Sequence, residues 1–245
     1  MKKSFTIVRV LPAILLVSLF LIVGVSIHNV SADSLTVDAT TCDPSGTPAY
    51  CTIQAAVDAA NPGDTITVNA GTYDENVVID KSLTLQGPNA NIDPNTGTRV
   101  GEAVIDGGAG VAVQPKATNV VINGFTITST ANDAIYDIGV VANGGVTDAS
   151  GLTISDNIVT TTGTGRRAIA IESNGSNFSI THNEVTGTTH DLAGADGTWS
   201  NMQINDNYFA KPTDAGDNDA IQMGPDGTGP VNGFQFEGND VLGQR

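Results

Sequence analysis

The chain has 245 residues, which suits one large domain or a domain with a small extension, and its Val, Ile and Leu content excludes general disorder. It carries 26 Asp and Glu against 10 Lys and Arg, a formal net charge of −16 at pH 7. Such a surface repels nucleic acid and anionic lipid, so no nucleic-acid partner is expected. Acidic polysaccharides would also be repelled, unless a cation bridges them or a local basic patch receives them.

Residues 1–32 have the pattern of a secretory signal peptide. A basic start with Lys2, Lys3 and Arg9 is followed by an apolar run and then by the small residues Val30-Ser31-Ala32, which predicts cleavage after Ala32. The apolar run is long enough to remain uncleaved as a membrane anchor instead. We therefore expect a secreted, extracellular or cell-surface protein, with a membrane contact only if this segment is retained. Cleavage would leave seven basic residues against 26 acidic ones.

Residues 33–51 form a lead that contains the two cysteines of the chain, Cys42 and Cys51. In a secreted protein, two cysteines this close predict a disulfide bond. Closing so short a loop would add about 2–3 kcal/mol to stability, as a staple at the N-terminal cap. A metal or redox role is not expected, because two cysteines without a nearby His supply too few ligands.

The segment from Thr52 to Ala60 predicts a short amphipathic helix. It places four apolar residues on one face, and a Pro-Gly pair follows it: Ile53, Ala56, Val57, Ala60 and then Pro62-Gly63. Short apolar strands come next, at 65–68, 77–79, 83–85, 103–106 and 111–113. The helix is expected to cover the open end of these strands, as the apolar end of a repeat protein requires.

The rest of the chain contains one short pattern five times, starting at residues 118, 150, 176, 200 and 232. Each copy begins with a polar pair, followed by an apolar residue, any residue and a second apolar residue. Two turn residues come next. In four copies an asparagine then follows: Asn157, Asn183, Asn207 and Asn239. Each copy is too short to bury a core alone, so the copies must stack. We predict an all-β fold over residues 52–245, a right-handed parallel β-helix of about six or seven coils with a short N-terminal capping helix. The asparagines would form a structural column, and a β-sandwich is the alternative.

A family resemblance supports this prediction. The run CTIQAAVDAANPGDTITVNAGTYDENVVIDKSLTLQG, followed by AVIDGG and NVVINGFTITST, resembles the opening of right-handed parallel β-helix proteins of the pectin-lyase-like superfamily. That superfamily includes non-enzymatic relatives with NosD-type and other β-helix repeats. The resemblance covers residues 50–245 and implies the fold. It leaves the activity open, because such proteins include lyases, hydrolases, epimerases, adhesins and carbohydrate-binding modules.

Four triplets align in a second column. They begin at Asp133, Arg167, His190 and Asp219, and their first residues are expected to face solvent along one wall, flanked by Arg166 and Asp217. Such a stripe could line a carbohydrate groove, with Asp133, His190 and Trp199 touching the sugar. A purely structural stripe is the other interpretation, because Asp before a strand is a common turn residue.

The resemblance to β-helix lyases implies a base and a calcium ion. Arg166 or Arg167 would remove a proton, and Asp217 with Asp219 would hold Ca²⁺. In a hydrolase the same two carboxylates, about 6.5–7 Å apart on a strand, would suit an inverting pair. Trp199 would stack on a sugar ring or pack over the neighbouring turn. His182 is expected to be a solvated turn residue.

These features leave two functions open. The leading hypothesis is a secreted or cell-surface module that binds extracellular polysaccharide or serves as a structural and adhesive stalk. The alternative is a polysaccharide lyase or glycoside hydrolase that acts on an acidic polysaccharide such as pectate. A NosD-type maturation factor is not expected, because it would need a metal site. Residues 241–245 come straight after a strand, with no helix or polar cap, which predicts further coils after Arg245 or a partner at that end.

Overall fold

A computed structural model describes residues 32–47, 49–130, 140–142, 148–162, 167–171, 174–187, 191–195, 198–211, 221–223 and 232–243. The chain divides into two units, Met1–Val30 and Ser31–Arg245. Residues 1–31 of the predicted signal peptide lie outside the described residues. Among the residues that are described, no helix has both the length and the apolar character needed to cross a membrane.

One helix and 21 strands follow each other along the described part of the chain. In chain order they are β1 (Ser34–Val37), α1 (Ile53–Ala59), β2 (Thr65–Val68), β3 (Gly71–Asp74), β4 (Val77–Ile79), β5 (Thr84–Gln86), β6 (Ala103–Asp106), β7 (Val113–Pro115), β8 (Val121–Asn123), β9 (Thr126–Ser129), β10 (Val140–Ala142), β11 (Thr153–Ser155), β12 (Ile158–Thr161), β13 (Arg167–Ile171), β14 (Gly175–Thr181), β15 (Glu184–Gly187), β16 (Asp191–Ala195), β17 (Trp199–Asn205), β18 (Tyr208–Lys211), β19 (Ile221–Met223), β20 (Asn232–Glu237) and β21 (Asp240–Gly243).

The strands form three parallel sheets, and each coil of the chain contributes one strand to each sheet. Sheet A has the order β1-β2-β5-β8-β11-β14-β17-β20, sheet B β3-β6-β9-β12-β15-β18-β21, and sheet C β4-β7-β10-β13-β16-β19. Six complete coils, β2–β4 to β17–β19, thus lie between β1 and the pair β20–β21. This confirms the predicted parallel β-helix and its number of coils. The right-handed sense of the coils stays a prediction, which the usual hand of parallel crossovers favours.

Alternation within each strand creates the core. In sheet A the central residue points inward and its neighbours point outward, so stacked coils bring apolar side chains into one column. Its members in successive coils are all at most 2% exposed: Ile66, Leu85, Ile122, Ile154, Ile180 and Ile204. β-Branched side chains fit such a pleated, half-buried surface. The core is therefore a stack of apolar layers enclosed by the three sheets.

The asparagines at the end of each repeat form a buried ladder between sheets A and B. Asn157 donates from its backbone N–H and its Nδ2 to Oδ1 of Asn183, at 3.0 and 3.1 Å. Asn183 does the same to Asn207, at 2.9 Å for both bonds. Asn207 repeats the pattern with Asn239 at 2.9 and 3.0 Å. Each Asn thus closes the turn of its own coil and binds the next one.

The residue before each ladder position has a left-handed backbone. Positive φ values occur at Gly124, Asp156, His182, Asp206 and Gly238, between 53° and 82°. Asn, Asp and Gly tolerate this conformation best, which explains the turn residues of the repeat. In the first copy Phe125 takes the ladder position, and its N–H donates to Asn157 Oδ1 at 3.0 Å. The ladder therefore begins one coil later than the repeat.

Helix α1 covers the first coil. Its N-cap Thr52 accepts from Ala55 N–H at 3.2 Å, and the helix buries Ile53, Ala56 and Val57. Cys42 and Cys51 form a disulfide bond just before it. Residues 34–37 of the lead, which the sequence analysis leaves without structure, form β1 and pair in parallel with β2. Alternation over four residues is too short a signal to separate such a strand from a loop.

Candidate functional site

The predicted catalytic stripe lies mostly outside the described residues. This applies to Asp133, Arg166, His190, Asp217 and Asp219. The described residues contain no group of three or more His, Cys, Asp and Glu side chains that could hold a metal ion. The calcium site predicted at Asp217 and Asp219 stays a prediction, because those residues are not among them.

Arg167 is described, and its predicted exposure is wrong. It begins β13, where every residue from Arg167 to Ile171 is buried, and Arg167 itself is 0% exposed. Side chains alternate between the two faces of a strand, so Arg167 shares the face of Ile169 and Ile171, which are both 0% exposed. Its guanidinium group therefore lies inside the protein and does not line a wall open to solvent.

The alignment of the stripe also differs from the register in sheet C. Arg167 pairs with Asp191, one residue beyond the predicted His190. Ile169 pairs with Val140, so β10 lies beside β13 where the sequence pattern places the triplet from Asp133. The turns differ in length from coil to coil, so triplets that look alike in the sequence need not pair with each other in neighbouring strands.

Trp199 packs inside the solenoid. It is 2% exposed, and its ring meets that of Phe234 edge-on at 5.9 Å between centroids and 61° between planes. A ring buried in this way presents no face to a sugar, so the predicted substrate contact is wrong for Trp199. Packing over a neighbouring coil, the other alternative, describes its position.

The outer face of sheet A carries two parallel rows of polar side chains, which we call the polar face. The first row consists of Ser34, Thr65, Thr84, Val121, Thr153, Ser179, Gln203 and Gln235. The second consists of Thr36, Thr67, Gln86, Asn123, Ser155, Thr181, Asn205 and Glu237. Successive coils lie about 4.8 Å apart, and the two rows about 6.5–7 Å. The result is a flat, regular array of hydroxyl and amide groups.

This array has almost no charge. In its two rows Glu237 is the single charged residue and Val121 the single apolar one, although the chain as a whole has a net charge of −16. These residues are not among those that the sequence predicts for the site. The signal was present, because each repeat places a polar residue on both sides of a buried apolar one, as in Thr153-Ile154-Ser155.

A loop at residues 88–100 borders the polar face beside its second row. Asn91 N–H donates to Asn123 Oδ1 at 3.1 Å, and Arg99 Nη1 donates to the Asp156 carbonyl at 2.8 Å. Arg99 also forms a two-bond ion pair with Glu102, at 2.8 and 2.9 Å. The loop is therefore tied to three coils and forms a fixed rim.

An acidic groove of about 340 Å³ lies next to this loop, over the left-handed turns. His182 stands between two carboxylates, with Nδ1 3.9 Å from Asp156 and Nε2 3.8 Å from Asp206. The lining also includes Asp93 of the loop, Tyr208 and a further carboxylate, Asp240. The His182 side chain is 46% exposed, as expected for a turn residue, yet it is held among acidic groups.

Two of these carboxylates have shifted pKa values. Burial raises the pKa of Asp156 above the ordinary value, although the neighbouring His182 opposes the shift. Burial also opposes ionisation of Asp93, but hydrogen bonds from Asn95 and Thr96, with the nearby His182, outweigh it and lower the pKa of Asp93. The groove therefore carries negative charge at neutral pH and would repel an anionic ligand.

The two surfaces differ in the ligands that they can accept. The polar face offers donors and acceptors without charge, which suits a ligand rich in hydroxyl groups.

No protein-family model, no curated protein and no solved structure matches the chain.

Proposed function

We propose that this protein is a secreted or cell-surface β-helix module, related to the pectin-lyase-like superfamily, that binds an uncharged extracellular polysaccharide along the polar face. One observation carries the proposal: a strongly acidic chain keeps two long rows of outward side chains almost free of charge. In a repeat protein the same surface would also serve an adhesive stalk.

The chemistry of the polar face matches that of a neutral sugar polymer. Hydroxyl groups of Ser and Thr and amides of Asn and Gln both donate and accept hydrogen bonds, as sugar hydroxyls do. Uncharged groups are also easier to desolvate than carboxylates or ammonium groups. A regular array repeats each weak contact along an extended polymer, so that modest single contacts add up to useful avidity.

The charge of the protein favours a neutral ligand over an acidic one. The acidic groove borders the polar face, and the whole chain is anionic. Pectate and similar uronate polymers would be repelled. The lyase or hydrolase alternative is also weakened, because Arg167, one of its proposed catalytic residues, is 0% exposed. Its other proposed catalytic residues, Arg166, Asp217 and Asp219, lie outside the described residues.

Co-sedimentation of the mature chain with insoluble glycans tests the proposal. Neutral β-glucan, xylan and mannan are compared with pectate and alginate, and soluble sugar release is measured in the same tubes. Binding to at least one neutral glycan without sugar release is expected. Binding to the acidic polymers alone, or turnover of any of them, would contradict the proposal.

A double variant locates the binding surface. Thr153→Val with Thr181→Val removes two hydroxyls from the polar face while keeping the branched shape of the side chains. The matched control, Thr128→Val with Thr160→Val, makes the same change on the outer face of sheet B. We expect the first pair to weaken glycan binding about tenfold, at about 0.5–1.5 kcal/mol per hydrogen bond, and the control to leave it unchanged. An equal effect of both pairs would place binding elsewhere.

A further inference from the structure

Asp64 is a buried carboxylate at the junction of the capping helix with the first two strands of sheet A. It is 1% exposed and lies between α1 and β2, next to the first residue of that strand. Its Oδ2 accepts from Asn61 N–H at 2.8 Å, and its Oδ1 accepts from Asp33 N–H at 2.8 Å. Both oxygens therefore act as acceptors, as those of an ionised carboxylate do.

The two N–H donors do not neutralise the charge of Asp64. Among the described residues, no ion pair includes this side chain. An ionised carboxylate that is buried without a countercharge lowers stability, because it loses its water and gains no opposite charge in return. A positive group at one of the two donor positions would offset this loss.

The backbone nitrogen of Asp33 occupies one of these donor positions. Asp33 directly precedes β1, and its carbonyl accepts from Thr65 N–H at 2.9 Å, next to the parallel pairing of β1 with β2. The sheet therefore holds this nitrogen in place, independently of the residues before it. The second compact unit of the chain begins at Ser31, just ahead of the same nitrogen.

Cleavage after Ala32, which the signal-peptide pattern predicts, would change the chemistry of this nitrogen. A signal peptidase adds water across the Ala32–Asp33 peptide bond. The oxygen of the water stays with the new carboxylate of Ala32, and its two hydrogens end on the amino group of Asp33. The neutral N–H that lies 2.8 Å from Asp64 Oδ1 thus becomes an ammonium group with three donors. A cavity of about 400 Å³, lined by Asp33, Asn61 and Asp64 among others, gives the other two donors access to water.

We propose that removal of the signal peptide gives Asp33 an α-ammonium group that forms an ion pair with the buried Asp64 carboxylate and fixes the first strand to the solenoid. The Asp64 carbonyl accepts from Thr84 N–H at 3.0 Å, so this one residue connects β1, the end of the capping helix and β5. With the signal peptide retained, a neutral hydrogen bond stands at the same place. Export thereby stabilises the N-terminal end of the β-helix.

Two chains test the ion pair, one that starts at Asp33 and one that keeps Ser31 and Ala32, each released from a cleavable fusion. The longer chain retains the Asp33 N–H but carries its ammonium group two residues away. We expect its melting temperature to be about 3–6 °C lower, because a neutral hydrogen bond replaces a charge-assisted one. In Asp64→Asn this difference should vanish. It should persist in the control Asp80→Asn, whose side chain is 69% exposed.

Acylation of the α-amine provides a readout that does not depend on a variant. At neutral pH acetic anhydride should react with the amine of Asp33 in the shorter chain at least about tenfold more slowly than with that of Ser31 in the longer one, because the ion pair favours the protonated, unreactive form. Mass spectrometry of the N-terminal peptides measures both rates, and each chain in concentrated urea serves as its own reference.

Equal melting temperatures of the two chains, a difference that persists in Asp64→Asn, or equal acylation rates would overturn the proposal. An exported protein whose intact mass shows a first residue other than Asp33 would overturn it as well. If Asp64→Asn does not fold, the acylation rates still decide. Because none of these readouts uses a glycan, a failure here and a failure of the proposed function, on whose export step the ion pair rests, are distinguishable.

Discussion

At the scale of single residues, the ladder asparagines do more than tolerate a tight turn. Asn183 accepts from the backbone and side chain of Asn157, and its Nδ2 donates to the Ile154 carbonyl at 2.9 Å. Because the site is 0% exposed, water cannot replace these bonds. One side chain thus satisfies buried groups of two neighbouring coils.

We expect Asn183→Ala to lower the free energy of unfolding by about 2–4 kcal/mol, because it leaves several buried polar groups without partners. Urea denaturation followed by circular dichroism measures the change. Asn205→Ala is the control, since Asn205 lies on the outer face and accepts from Glu237 N–H at 3.1 Å. Equal losses in both variants would argue against a special role of the ladder.

Asp156 is a residue whose charge opposes folding. Burial raises its pKa above the ordinary value, so the protonated form is favoured in the folded state. Because the folded-state pKa is raised, protonation of Asp156 stabilises the folded state at low pH. This stabilisation is lost as the pH rises through the folded-state pKa. At neutral pH the charge on Asp156 therefore lowers the stability of the folded protein. The neutral side chain of Asn would avoid this loss.

Asp156→Asn should raise the melting temperature at pH 7.5, and the gain should shrink as the pH approaches 4. Asn keeps the left-handed turn, because it tolerates positive φ. The control is Asp206→Asn, the same change in the same column at a side chain that is 60% exposed. It should change the melting temperature little. A gain that does not depend on pH, or that is equal in both variants, would contradict the explanation.

At the scale of elements, the capping helix depends on one carboxylate from the coil below it. Glu75 accepts from the N–H groups of Ile53 and Gln54 at 2.9 Å each, at the positive end of α1. Lys81 Nζ donates to the Val57 carbonyl at 3.0 Å near the other end. A helix of seven residues is too short to be stable alone, so these contacts and its buried face hold it in place.

Glu75→Ala should therefore loosen the cap, with a loss of about 1–2 kcal/mol of stability. Hydrogen exchange should show faster exchange at residues 53–60 than in the rest of the solenoid. Asp74→Ala, at an exposed neighbouring position on β3, should leave these amides unchanged. If both variants behave alike, the charge near the helix and not the hydrogen bonds would be responsible.

At the scale of the whole molecule, acidic residues outnumber basic ones by 26 to 10. In the described part of the chain, Arg99 pairs with Glu102 and Lys81 lies 3.7 Å from Asp80. Repulsion among the carboxylates opposes the compact state. The polar face adds little to this repulsion, because Glu237 is the single charged residue in its two rows.

Salt should consequently stabilise the protein. Between about 10 mM and 150 mM NaCl the Debye length falls from about 30 Å to about 8 Å, so long-range repulsion is screened. We expect a higher melting temperature at the higher salt concentration, measured by differential scanning calorimetry at pH 7.5. A fall would mean that attractive ion pairs outweigh the repulsion. Potassium sulfate is avoided, because sulfate strengthens apolar burial by itself.

The repeat pattern predicted the parallel β-helix and the positions where asparagines recur, and the apolar face of residues 52–60 predicted the capping helix, because alternation, helical period and turn residues are local properties of the chain. Tertiary structure decided which coils meet. It placed Arg167 in the core and beside Asp191, and it turned Trp199 inward against Phe234. It also aligned the polar residues of eight strands into one face. Turn lengths differ between coils, so register, burial and shared surfaces depend on neighbouring coils that a single repeat does not contain.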